Sequence, residues 1–137
     1  MSPAAIRLPA AWRAELTAAA RAAHPEEACG LILGRPDGWV ADELVPCRNV
    51  AETPAREFEI DPATLLHWYR TLRGGERAVI GVYHSHPTGR AAPSATDAAR
   101  AWDKDLVWVI VAGTAITAWQ PTEGGFDPLD LTWETEA

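Results

Sequence analysis

Six apolar residues, Ala78-Val79-Ile80-Gly81-Val82-Tyr83, run straight into His84-Ser85-His86-Pro87. The run is short and rich in β-branched and aromatic residues, so it reads as a buried strand. Side chains alternate along a strand, so His84 and His86 share one face at its end. Pro87 has no N–H to give a ladder and ends the strand. A turn-like loop over 88–93 leads to Ser94-Ala95-Thr96-Asp97, where a helix opens with Ser94 as its N-cap. Two imidazoles on a strand end and a carboxylate on the first turn of a helix are the three-ligand set of a catalytic zinc site. The fourth position is then left for water.

The rest of the chain supplies layers for that strand. Leu8–Ala23 reads as a helix with Trp12, Leu16, Ala19 and Ala23 on one face. Leu31–Gly34 and Trp39–Val45 read as a β-hairpin around the turn Arg35-Pro36-Asp37-Gly38. Residues 51–56 read as loop and Phe58-Glu59-Ile60 as a short strand. Asp61-Pro62 supplies an N-cap and a first-turn proline to a helix that buries Leu65, Trp68, Tyr69 and Leu72 and stops at Gly74-Gly75. The helix opened by Ser94 is expected to run to about Trp102. Leu106–Val111 is a continuous apolar strand, central by its composition, with Ala115–Trp119 as its antiparallel neighbour. A turn through Pro121, Gly124 and Gly125 precedes a last strand around Leu129–Trp133, and Glu134 onward is expected to fray. This order predicts one α/β (α+β) domain over 1–137, with a mixed sheet sandwiched by helices.

Composition excludes several function classes. A formal net charge of −7, with Lys104 the only lysine, offers no basic face to nucleic acid. No apolar stretch approaches the length of a membrane span, and no signal-peptide core is visible, so a soluble cytoplasmic protein is expected. Cys29 and Cys47 lack a CxxC spacing and read as small buried hydrophobes. The tryptophans read as core, with Trp39 or Trp102 as candidates to line a groove.

A zinc hydrolase also needs a base for the water's proton and a donor for the developing oxyanion. Glu27 is the candidate base, at the entrance to a buried strand where Gly30 lets backbones approach closely. Ser94 is the candidate oxyanion donor, one helical turn from Asp97. Ser94-x-x-Asp97 is equally a capping box, and a capped helix end is a rigid mount for a ligand. Ser85 faces the opposite side of the strand and reads as a packing residue.

Glu27, His84-Ser85-His86-Pro87, Ser94 seven residues later and Asp97 after two more resemble the JAMM (MPN-plus) metalloprotease signature. Pro25–Gly34, Arg48–Ala51 and Phe58–Pro62 are similar to the small prokaryotic JAB-domain members. The resemblance spans about residues 5 to 120. It implies a cytidine-deaminase-like architecture and a zinc peptidase or isopeptidase cutting after the C-terminal Gly-Gly of ubiquitin-like or sulfur-carrier proteins. It implies one zinc ion on His84, His86 and Asp97, Glu27 as general acid/base, and Ser94 as oxyanion stabiliser. It also selects Glu27 over Glu26. The partner implied is a ubiquitin-like or sulfur-carrier tail, expected to add as a strand along an exposed sheet edge. The competing expectation is a non-catalytic module binding the same partners. A zinc deaminase fits poorly, since it needs a His-x-Glu and a Cys-x-x-Cys and neither is present.

Overall fold

A computed structural model describes residues 3–100 and 105–135. Its elements are β1 (Ala5–Pro9), α1 (Trp12–Ala23), β2 (Cys29–Arg35), β3 (Val40–Cys47), α2 (Pro62–Leu72) and β4 (Ala78–Ser85). They continue with α3 (Ala95–Arg100), β5 (Val107–Ala112), β6 (Ala115–Thr122) and β7 (Gly125–Glu134). The strands order as β1-β3-β2-β4-β5-β6-β7, and β7 pairs back onto β1, so the sheet closes on itself. Pairing is mixed: β4 lies parallel to β5, and β1 lies parallel to both β3 and β7.

The expected mixed sheet between helices is present, and its two faces carry separate cores. Ile6, Leu8, Ile32, Ile80, Tyr83, Val107, Val109 and Val111 form one cluster, which α1 joins through Trp12 and Leu16. Leu31, Leu33, Val79, Val82 and Trp108 form the other, covered by Leu65, Trp68, Tyr69 and Leu72 of α2. A register shift explains why Val79 and Val82 share a face: Ile32 pairs with Gly81 but Leu33 pairs with Val79, so Ile80 is an extra residue on β4. Two glycines permit the close approach. A Cβ on Gly81 would lie 2.7 Å from the Val107 carbonyl oxygen, and one on Gly30 would overlap the Tyr83 ring.

Several expectations need correction. The first helix does not begin at Leu8: residues 5–9 are a strand in which Ile6 and Leu8 alternate inward, paired with residues 130–134. Pro121 belongs to β6 and not to a turn, at a point where β6 has passed its last pair with β5, Trp108 with Trp119, and needs no N–H on that side. Glu134 does not fray: its carbonyl accepts the Ala10 N–H at 2.8 Å. Phe58-Glu59-Ile60 makes only an isolated bridge, Asn49 with Ile60. Trp39 packs on the inner core rather than lining a groove; Trp102, and with it the expected end of the third helix, lies outside the described residues. β1 meets β3 only at Arg7 with Val40, leaving the rest of β3 without an outer strand among the described residues. Among those residues no helix is long and apolar enough to cross a membrane.

Candidate active site

β4 carries its histidines to the end of the sheet, between β2 and β5. His84 pairs across to Cys29 on one side and Ile110 on the other. Its side chain is fully buried. Phe58 stacks on its ring at 4.4 Å between centroids and 18° between planes, and Trp108 meets it edge-on at 5.3 Å. His86 stays in line with the sheet through its N–H to the Val111 carbonyl, 2.8 Å. His86 Nδ1 lies 2.8 Å from the Arg90 carbonyl oxygen. A carbonyl only accepts, so Nδ1 carries the proton there and Nε2 of the neutral ring presents a lone pair.

The short helix α3 brings the carboxylate. The Asp97 N–H donates to Ser94 Oγ and the Ser94 N–H donates to Asp97 Oδ2, both at 3.0 Å, which is a reciprocal cap. Asp97 Oδ2 then lies 3.2 Å from His84 Nε2 and 3.1 Å from His86 Nε2, and the two nitrogens are 3.1 Å apart. Three donor atoms in a near-equilateral triangle of this size fit one small cation: tetrahedral bonds of about 2.0–2.1 Å would space them roughly 3.3 Å apart. Two imidazole lone pairs and a carboxylate oxygen repel one another unless a proton or a metal lies among them. The set suits a metal with nitrogen and oxygen preferences.

Charge follows position. Burial keeps the His84 imidazole below its ordinary value, against the pull of Asp97. The Asp97 carboxylate raises His86 despite that ring's own burial. Burial opposes the Asp97 charge, but the two imidazoles outweigh it and hold the carboxyl well below the usual range.

Glu27 lies beside this triangle and is only 5% exposed, whereas Glu26 is exposed. One of its carboxylate oxygens is within 4.8 Å of ligand nitrogens of both His84 and His86. Its Oε1 is buried with no hydrogen-bond partner. Burial pushes its pKa up to about 7, the cationic form of His86 opposing and Asp97 and Glu57 adding to the rise. Ser85 turns the other way, as expected: its Oγ accepts the Ala28 N–H at 2.8 Å and its N–H donates to the Ala28 carbonyl.

Every site residue singled out in the sequence meets here: Glu27, His84, His86, Ser94 and Asp97. The cysteines do not enter the chemistry. Both are free, and burial pushes the Cys29 thiol up to about 12 and raises Cys47. The supporting residues Asn49, Phe58 and Trp108 were not assigned roles from sequence. Asn49 and Phe58 do stand in the stretches that carry the family resemblance, which was the available signal.

Comparison with known proteins gives the family. Residues 9–122 match the family model described as prokaryotic homologs of the JAB domain. A desampylase of Haloferax volcanii is 32% identical over 111 residues, 80% of each chain. A CysO-cysteine peptidase of Mycobacterium tuberculosis is 30% identical over 97 residues, 71% of this chain and 66% of that one. The solution structure of a Desulfitobacterium hafniense protein superposes with a TM-score of 0.83 at 30% identity, covering 96% of this chain and 94% of that one. The chain belongs to the prokaryotic homologs of the JAB domain.

Proposed function

We propose that this protein is a zinc metallopeptidase that hydrolyses the bond following the C-terminal Gly-Gly of a ubiquitin-like or sulfur-carrier protein, in the cytoplasm, where both thiols stay reduced. The observation that carries this reading is the 3.1–3.2 Å triangle of His84, His86 and Asp97 with a buried, unpartnered carboxylate oxygen of Glu27 beside it. The names of the relatives, a desampylase and a CysO-cysteine peptidase, support the substrate class.

His84 and His86 through Nε2, and Asp97 through Oδ2, are the ligands in this reading. Zinc bound there supplies a Lewis acid that acidifies water and polarises a carbonyl. Glu27 acts as the proton shuttle. Its carboxylate takes a proton from the attacking water and hands it to the leaving amine. Ser94 Oγ already accepts the Asp97 N–H, so its own O–H is left to donate to the developing oxyanion. Asp97 is held by the same cap, so ligand and oxyanion donor move as one unit. The outer side of β3 beyond Val40, which carries no strand among the described residues, is where the extended tail adds as a strand. β3 ends at Cys47, opposite Cys29, whose other neighbour is His84, so a tail laid there runs toward the site.

The test is metal content together with cleavage of a Gly-Gly-terminated ubiquitin-like fusion. Wild type is expected to hold one zinc per chain and to cut. Glu27→Gln is expected to keep zinc and lose turnover, and His84→Ala to lose both. One zinc per chain with no cleavage of any tail would instead assign a binding module, and full zinc occupancy in His84→Ala would remove the ligand assignment.

A further inference from the structure

The main chain of Glu27 belongs to no strand, since β2 begins at Cys29. Its N–H donates to the Pro54 carbonyl at 2.8 Å. Its carbonyl accepts from Asn49 Nδ2 at 3.1 Å. Both backbone groups of the residue therefore lean on the segment 49–59, and on nothing in the sheet. That segment has no regular structure to hold it. It is held by a few backbone bonds, among them Val50 N–H to the Glu59 carbonyl at 2.9 Å and Arg56 N–H to the Thr53 carbonyl at 2.9 Å, and by the Asn49 side chain. Besides Glu27, Nδ2 reaches the carbonyls of Pro54 at 3.3 Å and Glu57 at 2.9 Å, its two hydrogens shared among three acceptors. Oδ1 accepts the N–H groups of Ala51 and Glu59, each at 3.1 Å. An asparagine in a loop ordinarily bonds its own turn. Here one of the bonds crosses 22 positions of sequence to the residue with the buried, unpartnered carboxylate oxygen.

We propose that Asn49 is the positioning residue for Glu27: its amide fastens the 50–59 segment across the entrance to β2 and so sets where the Glu27 carboxylate stands. No other residue type offers both groups at this length. Aspartate has no N–H for the three carbonyls, and glutamine is longer by a methylene. Asn49 itself touches neither the histidines nor Asp97; the Glu57 carbonyl and Glu59 N–H that it holds flank Phe58, which stacks on His84, so metal content separates an effect through Phe58 from one through Glu27.

The inference rests on the peptidase reading, and its test separates the two. The substrate is a ubiquitin-like protein ending in Gly-Gly with an aminocoumarin amide. Asn49→Ala is expected to lower kcat about 10²-fold, the scale of a misplaced catalytic group, with KM within about threefold. Metal content should stay at that of wild type. In a Glu27→Gln background the same substitution should change the residual rate less than about threefold, because there is no carboxylate left to misplace. An equal loss in both backgrounds, a kcat within about threefold of wild type, or metal lost in step with activity would overturn the proposal. If Asn49→Ala does not fold, Pro54→Gly loosens the same segment and carries the same cycle with the same expectations. Amide exchange needs no substrate. In Asn49→Ala the N–H groups of Glu27, Ala51 and Glu59 should exchange at least about tenfold faster while those of β2 and β4 stay protected. Unchanged exchange at Glu27 overturns the proposal even if wild type cleaves no tail, a result that by itself would remove only the peptidase reading.

Discussion

Glu27 is a carboxyl whose folded-state pKa, about 7, stands above its ordinary value of 4.5 because burial penalises the charge. The folded state therefore holds this proton more tightly than the unfolded chain. The metal-free protein should lose Glu27's share of stability as pH rises from about 4.5 to about 7, and no further above that. Asp97 works in the opposite sense and elsewhere: its depressed carboxyl contributes stability above about 3.8, lost as pH falls below. In chelator-treated protein, Glu27→Gln should match wild type near pH 4.5 and become the more stable of the two by pH 7.5. Urea melts at several pH values check this, and a constant difference across the range would contradict a buried charge at position 27. Ser94 has two jobs that substitution can divide. Ser94→Ala should slow turnover 10²–10³-fold as a lost oxyanion donor and cost about 1 kcal/mol as a lost N-cap. Ser94→Gly should lose the same rate with only a few tenths of a kcal/mol, since glycine is tolerated at an N-cap. Rates of both variants within a few-fold of wild type would remove the oxyanion role.

At the scale of elements, what could be read from sequence was what is local. The apolar run of β4, the Asp61-Pro62 start of α2 and the Ser94-Asp97 cap are each set by neighbours within a few residues, and all three stand where the pattern puts them. The histidine face followed from strand alternation alone. The support around that face did not, because Phe58 reaches His84 from a stretch too short to form more than an isolated bridge, and Trp108 reaches it from a strand legible only as apolar. The extra residue Ile80 in β4 was equally hidden, since one sequence cannot show which partner skips a pair. Phe58 stacks on a metal-ligand candidate, which gives it a measurable role. Phe58→Ala should leave the fold in place and weaken metal affinity about tenfold, the lower end for a residue that orients a ligand from behind. Competition with a chelator of known affinity checks this, and an unchanged affinity would reduce Phe58 to packing.

For the whole molecule, closure of the sheet was the feature least accessible to a local reading. β1 is five residues long, begins at Ala5, and finds its partner 125 positions away, where Ala5 pairs with Asp130 and Leu8 with Trp133. Read locally, Leu8 joins the helix that follows it, and only pairing with the far end of the chain makes it a strand residue. Two side-chain contributions at this seam can be compared by magnitude. Arg7 and Glu134 form an ion pair at 3.2 Å with side chains 55% and 43% exposed. Pairs so exposed contribute well under about 1 kcal/mol, and less at high salt. Leu8 is fully buried in the cluster that α1 covers. Truncating a core leucine costs about 2–5 kcal/mol through lost transfer energy and the cavity left behind. Leu8→Ala should therefore lower the unfolding free energy by that amount in urea melts, and Arg7→Ala by less than about 1 kcal/mol. Because β1 adds a lateral neighbour to β7 and lies far from the histidines in the strand order, folded Leu8→Ala should still bind metal as wild type does. A loss from Arg7→Ala equal to that from Leu8→Ala would mean that charge, and not burial, shuts the sheet.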